Sequence, residues 1–322
     1  HDPELPIFAS PHEAIAAVER ITVMGEVGGE RDERADIDEL ARIEKRIAEL
    51  GWLGHAALRA ALADAHAGLN ALETAIEHYA EAALAEDASV PVRAIEQRLN
   101  LMSRRAFDSF QAGKSERDDS LESVGESIEK LEKLVNVFGK TQERLSLIGG
   151  AHKRMAQLTS GDERMTHLLA MKDSYGEAKA LGQRRSGTHV FYPWSQELSA
   201  KVAIKLRSRR SPKLDFAGIR ALSPGGDRDD FWRLVQPADL LLLECAADEE
   251  LSKADLDDVL AAYLSAWNHM GKRRELSSIF GQIDFLRTML TDVIGPNSSK
   301  RLKDFSKALD TLRNRLAQQT QI

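Results

Sequence analysis

The chain has 322 residues, of which 43% are hydrophobic and 30% charged, and a formal net charge of −7. That balance suits a soluble folded protein with a core and excludes a disordered tail, while the acidic excess argues against a nucleic-acid scaffold held by phosphate contacts. The single cysteine, Cys245, excludes an internal disulfide and a cysteine-built zinc site, and points to a reducing, cytoplasmic setting with the thiol buried as a small hydrophobe.

The chain opens on "HDPELPIF" without an initiator methionine, so it is expected to be part of a longer protein. Apolar residues then recur at three- and four-residue spacing almost throughout, which predicts helices. In "DIDELARIEKRIAELG" the stripe is Ile37, Leu40, Ile43, Ile47 and Leu50, with Gly51 as the stop. "LADAHAGLNALETAIEHYAEAAL" reads as helix, turn at Gly68-Leu69-Asn70, and helix. A further helix starts near Pro91. "RDDSLESVGESIEKLEKLVNVFG" and "TQERLSLIGGAHKRMAQLT" form a pair around Gly139, and "DERMTHLLAMKDSYGEAKALG" follows Ser160-Gly161. Later helices are expected at Pro193–Arg207, Phe231–Ala247, Lys253–Met270, Arg274–Ile294 and Ser299–Gln319. The expected division is a helical repeat region over 1–207, an irregular connection or hinge over 208–230 with Pro212, Pro224, Gly225 and Gly226, and C-terminal repeats with capping helices over 231–322. No apolar stretch approaches the ~20 residues needed to cross a bilayer.

One pattern recurs. Ala75-x-x-x-Tyr79-x-x-Ala82 is followed by Met171, Tyr175 and Ala178 in "MKDSYGEA", then by Val259, Tyr263 and Ala266 in "VLAAYLSA". Three of the four tyrosines occupy the same slot. Upstream of the first two copies stand Leu62-Ala63-x-x-His66 and Ile148-Gly149-x-x-His152. This spacing resembles the tetratricopeptide repeat, which places Leu-Gly-x-x-Tyr on its first helix and Ala-x-x-x-Phe/Tyr-x-x-Ala on its second. The tyrosine intervals are not multiples of the ~34-residue repeat, so helices have been lengthened or inserted. The resemblance implies an all-α, right-handed superhelical solenoid of divergent antiparallel helix pairs. Small residues let the backbones approach, and the tyrosine fills the space beside them. "ERLSLIGGAHKRMA", "HVFYPWSQELSAKVAIKL" and "ELSSIFGQIDFLRTML" also resemble the helical repeat region of large bacterial multidomain proteins and the TRAFs-binding helical domain of mitogen-activated kinase kinase kinases. That second resemblance implies a regulatory role beside a fused effector.

No phosphate-loop, GxGxxG, HExxH or GxSxG motif is present, and no catalytic residue, cofactor or metal site is expected. His66 and His152 stand where the repeat carries a packing aromatic and are expected to pack. The acidic clusters "RDDS", "DRDD" and "ADEE" are expected at helix starts, as caps and dipole partners. Two binding candidates remain. The first is basic: Arg98, Arg104 and Arg105; Lys153 and Arg154; Arg184 and Arg185; and "KLRSRRSPK". The resemblance puts Lys153 and Arg154 on the groove side, where an acidic peptide or partner helix would bind; the alternative is a solvated helix face balanced by nearby acids. The second is "HVFYPWS", where Tyr192 and Trp194 would be interface anchors if exposed and a hydrophobic staple if packed. The expected function is a non-enzymatic protein-interaction scaffold or regulatory repeat domain with a protein or peptide partner, no membrane span and no nucleic acid. A helical small-ligand sensor or an enzyme with a pocket not visible from sequence is the alternative.

Overall fold

The computed structural model describes residues 5–23, 33–85, 91–185, 191–208, 212–221, 231–270 and 273–320. The described residues form helices and connections only. In chain order the helices are α1 (Pro11–Val23), α2 (Glu33–Glu49), α3 (Ala56–Gly68), α4 (Leu72–Leu84), α5 (Pro91–Gln111), α6 (Arg117–Phe138), α7 (Gln142–Leu158), α8 (Gly161–Arg185), α9 (Phe191–Arg207), α10 (Phe216–Arg220), α11 (Phe231–Asp248), α12 (Lys253–Met270), α13 (Arg273–Thr291) and α14 (Lys300–Thr320). Among the described residues the fold is all-α, as the periodicity predicts, with the helix pairs that the tetratricopeptide resemblance implies. None of the described helices is long and apolar enough to cross a membrane.

Local chemistry sets the helix ends. The Thr141 side chain accepts the Arg144 amide at 3.0 Å and caps α7. At the start of α12, Ser252 Oγ accepts the Asp255 amide at 3.1 Å, while the Asp255 carboxylate accepts the Ser252 amide at 3.2 Å, a reciprocal capping box. The turn after α3 is carried differently from expectation. Helix α3 runs through Gly68, and Asn70 takes the left-handed conformation at φ 62°, which asparagine tolerates better than most residues. Gly139, with φ 80°, makes the break between α6 and α7.

The chain divides into two compact units: residues 1–119 with 272–274, and 120–271 with 275–322. In the first unit α3 packs against α1, α4 and α5. One core joins Ala14, Val18, Leu40, Ile43, Ile47, Leu58 and Leu62; another joins Ala63, Ala75, Tyr79, Ala82 and Ala94. Leu40, Ile43 and Ile47 are buried as predicted, but Ile37 is 50% exposed: the apolar stripe starts one turn later than its sequence suggests. In the second unit α7 packs on α8, α8 on α9, α9 on α11, α11 on α12 and α12 on α14, around one large core.

All nine residues of the recurring second-helix pattern are buried, from Ala75, Tyr79 and Ala82 through Met171, Tyr175 and Ala178 to Val259, Tyr263 and Ala266. Cys245 is a buried free thiol, and burial pushes its pKa up to about 11, which keeps it protonated and inert. The "ADEE" cluster is not at a helix start. Asp248 ends α11, and Glu249 follows with φ 55°. The Glu250 amide then donates to the Cys245 carbonyl at 2.9 Å, closing the helix. Within the expected 208–230 connection, Asp215 caps the short helix α10. Pro224, Gly225, Gly226 and the "DRDD" cluster lie outside the described residues.

Candidate functional site

The three buried tyrosines define what each repeat offers on its first helix. Tyr79 donates its hydroxyl to Asp64 of α3. Tyr263 donates to Asp239 of α11 at 2.7 Å. These bonds align Ala63-Asp64 with Ala238-Asp239 and reveal a third first helix, "PAD" beside "LAD" and "IGG", that the leucine-glycine signature misses. In the middle copy the pair is Gly149-Gly150. A Cβ at Gly149 would stand 2.7 Å from the Tyr175 ring, so close approach of α7 and α8 requires glycine there. With no carboxylate at position 150, the Tyr175 hydroxyl instead meets that of Tyr192 on α9, at 3.3 Å, with the rings edge to face. Burial raises the pKa of Tyr175 well above its ordinary value, so it stays a neutral phenol.

Around this middle copy the second unit builds a polar centre from several helices. Lys153 of α7 donates to Gln196 of α9 at 3.0 Å and to Gln282 of α13 at 2.9 Å. Its ammonium lies 4.8 Å from the Phe285 ring centre, a favourable cation–π position. Gln282 in turn donates to Ser199 at 3.1 Å. Burial lowers the Lys153 pKa to about 8. Asp239 is raised to about 6 by burial, against the pull of the Tyr263 hydrogen bond and of Lys153. The ammonium is thus bonded to neutral amides and feels a buried carboxylate without a hydrogen bond to it. Contacts from α9 and α13 partly cover the Lys153 side chain, which the repeat resemblance puts on the groove side.

The other candidates fall in different places. Arg154 is part-buried beside the same centre. Tyr192 is 54% exposed. Trp194 packs on the core, with the Lys179 ammonium 5.0 Å from its ring centre, as the packing alternative holds. Arg104 and Arg105 belong to the first unit. Arg104 bonds Asn70 at 2.8 Å and pairs with Asp108 at 3.4 Å, and Arg105 is part-buried. Lys205 donates to the carbonyl of Ala247 at 2.6 Å, near the end of α11, and Arg207 pairs with Asp292 at 3.0 Å, so these members of the basic cluster serve structure. Arg98 is exposed; the side chains of Arg184 and Arg185 lie outside the described residues.

Sequence reading missed a second cluster, in the first unit. Glu44 of α2 accepts from His66 of α3 at 3.2 Å and pairs with His78 of α4 at 3.1 Å. The imidazoles stack with centroids 5.3 Å apart. These hydrogen bonds hold the Glu44 carboxyl well below the usual carboxylate range. Glu44, His66 and His78 offer three ligand atoms within 4.8 Å of one another. Their arrangement fits a metal poorly. Arg59 donates to His78 Nδ1 at 2.9 Å, and a guanidinium is never an acceptor. His78 Nδ1 must therefore carry the lone pair, and Nε2 the proton given to Glu44. A metal on Nε2 would set an Nδ1 proton against Arg59. The cluster instead locks α2, α3 and α4 together. His66 packs part-buried, as expected, and adds a hydrogen bond to Glu44 that no local spacing encodes. His152 meets His167 at 3.1 Å, and burial lowers its pKa to about 4.

Comparison with known proteins agrees with the helix pairs. Comparisons with curated proteins and with solved structures give no match. Residues 82–196, about a third of the chain, match the family model TPR-S, described as Tetratricopeptide Repeats-Sensor; the matched stretch includes α5–α8 and the Gly149–Tyr175 contact. The chain carries a tetratricopeptide-repeat-like helical domain.

Proposed function

We propose that this chain is a non-enzymatic regulatory repeat domain that recognises an acidic segment of a protein partner on the second unit, through Arg154, Tyr192 and the ground beside Lys153. One observation carries the reading: where the other two copies give their tyrosine an aspartate, the middle copy has Gly150, and the Tyr175 hydroxyl meets that of Tyr192. Basic and hydroxyl groups near that position complement an acidic segment. Repeats of this class present extended surfaces for protein partners, and the regulated effector is either fused or separate. Trp194 supports the surface from beneath, and Arg104 and Arg105 form a separate basic candidate in the first unit. A cytoplasmic setting fits the inert buried Cys245.

A second reading, a sensor of a small acidic ligand, is favoured by the enclosure of Lys153 between Gln196, Gln282 and Phe285 and by the description of the matching family. Fluorescence anisotropy separates the two. A labelled acidic helical peptide is expected to bind the chain and to lose affinity on Arg154→Glu or Tyr192→Ala, while its charge-reversed version does not bind. Lys153 is a poor first target, because replacing it disturbs Gln196, Gln282 and Asp239. Indifference to the acidic peptide, with low-mass anions raising the Tm, would replace the scaffold reading by the sensor.

A further inference from the structure

His152 stands where the repeat carries a packing aromatic, and it meets a second imidazole there. Its Nδ1 on α7 lies 3.1 Å from the His167 Nδ1 on α8, with ring centroids 5.3 Å apart and planes tilted by 31°. One of these nitrogens carries a proton and the other accepts it. Among the described residues neither ring makes another hydrogen bond, so no arginine fixes a tautomer here as Arg59 does for His78. Burial lowers the pKa of both rings, that of His152 to about 4, so both are mostly uncharged at neutral pH and offer lone pairs. A third donor lies on the same helix as His167. Glu163 precedes it by four residues, which puts the two on one face of α8. The Glu163 carboxylate is exposed, and its charge acts on the His167 ring.

We infer that His152, His167 and Glu163 hold a divalent transition-metal ion of the Zn²⁺ class between α7 and α8. Two donors four residues apart on one helix, met by a third from a facing helix, suit such an ion. With Zn–N bonds of about 2.05 Å, the separation of the two Nδ1 atoms subtends about 100° at a shared ion, near the tetrahedral angle of about 109°. The rings lie almost in line, and turning each about its broad χ2 torsion brings both lone pairs onto one point. The donating ring passes its proton from Nδ1 to Nε2 as the ion enters, so both rings stay neutral and the ion replaces one hydrogen bond. The Glu163 carboxylate supplies negative charge, and water completes the shell. Close packing at Gly149 and Tyr175 sets the distance between the two helices, so the imidazoles are brought together before an ion arrives.

Isothermal titration of the untagged full chain with Zn²⁺ tests the inference, beside His152→Gln, His167→Gln, Glu163→Gln and Glu44→Gln, each checked for helicity by circular dichroism. Wild type and Glu44→Gln are expected to bind one equivalent. Affinity is expected to fall about tenfold or more in either histidine variant, and by less in Glu163→Gln, which keeps the length and loses the charge. Unchanged binding in His152→Gln or His167→Gln would overturn the inference, and so would no binding by the wild type. Loss in Glu44→Gln alone would place the ion in the first unit and overturn it as well. Unchanged binding in Glu163→Gln would overturn the carboxylate's part and leave a two-imidazole site. In the unaltered chain, where no substitution disturbs folding, Zn²⁺ should shift the imidazole NMR signals of His152 and His167 and leave those of His66 and His78 in place. The reverse pattern would overturn the site whatever the variants do.

Discussion

The helix pairs α3–α4 and α7–α8 share one packing scheme and differ in how they settle their charges. Around α3–α4 the tyrosine hydroxyl, Arg93 of α5 and two imidazoles all end on carboxylates: Tyr79 and Arg93 on Asp64, His66 and His78 on Glu44 of α2. In α7–α8 the tyrosine ends on another tyrosine, the imidazole of His152 on that of His167, and the neighbouring lysine on two glutamines. One pair is electrostatically closed and stabilises the fold. The other meets its tyrosine and Lys153 with neutral partners, while Lys179 and Arg164 of the same pair end on Glu197 and Asp292. The two pairs therefore keep one helix packing while satisfying their tyrosines differently.

The sharpest way to break this comparison is to remove one hydroxyl at a time. Tyr263→Phe leaves the buried Asp239 carboxylate without its donor and is expected to cost about 2–3 kcal/mol in urea unfolding at pH 7.5. Tyr175→Phe removes only a long bond between two neutral hydroxyls and should cost less than about 1 kcal/mol. Equal losses would show that the carboxylate does not distinguish the copies.

The next largest effect concerns acid. Glu44 has a depressed folded pKa, so its contribution is present above the ordinary carboxylate pKa and is lost as pH falls below about 4.3. Glu44→Gln is expected to cost about 2 kcal/mol at pH 7, allowing for the carboxylate's partial exposure, and to flatten the acid limb of the stability curve. Asp239 works with the opposite sign. Its folded pKa is raised to about 6, so the folded state gains stability as pH falls from about 6 towards 4. His152, lowered to about 4, opposes this by losing stability as pH falls from about 6.5 through the same window. Asp239→Asn should therefore unmask a steeper acid loss between pH 6 and 4, measured by urea titration at stepped pH.

The helix pairs were legible because the pattern that encodes them is local. Ala75-x-x-x-Tyr79-x-x-Ala82 and its two relatives place small and aromatic residues on one helix face, and all nine are buried. The late helices begin and end within three residues of the expected bounds, since Pro, Gly and capping residues mark them. The polar centre was not legible. Lys153 meets Gln282 across a sequence separation of 129 residues, and no spacing rule anticipates such a pair. The His66–Glu44–His78 cluster draws on three helices and was missed for the same reason. The "LAD", "IGG" and "PAD" triplets were a readable signal, but aligning them required knowing which carboxylate each tyrosine reaches. Trp194 and Tyr192, two residues apart, divide between core and solvent, which composition alone could not decide.

The smallest predicted effects separate the two glycines of α7. Gly149→Ala forces a methyl to within 2.7 Å of the Tyr175 ring. The overpacking should outweigh the gain in helix propensity, for a net loss of about 1–2 kcal/mol. Gly150→Ala meets only ordinary contacts and should gain about 0.5–1 kcal/mol from propensity and from the reduced entropy of the unfolded chain. Paired denaturant melts of the two variants read this difference in sign directly. A gain at position 150 means that the glycine is not needed for the fold. A loss there as large as at position 149 would make both glycines packing residues.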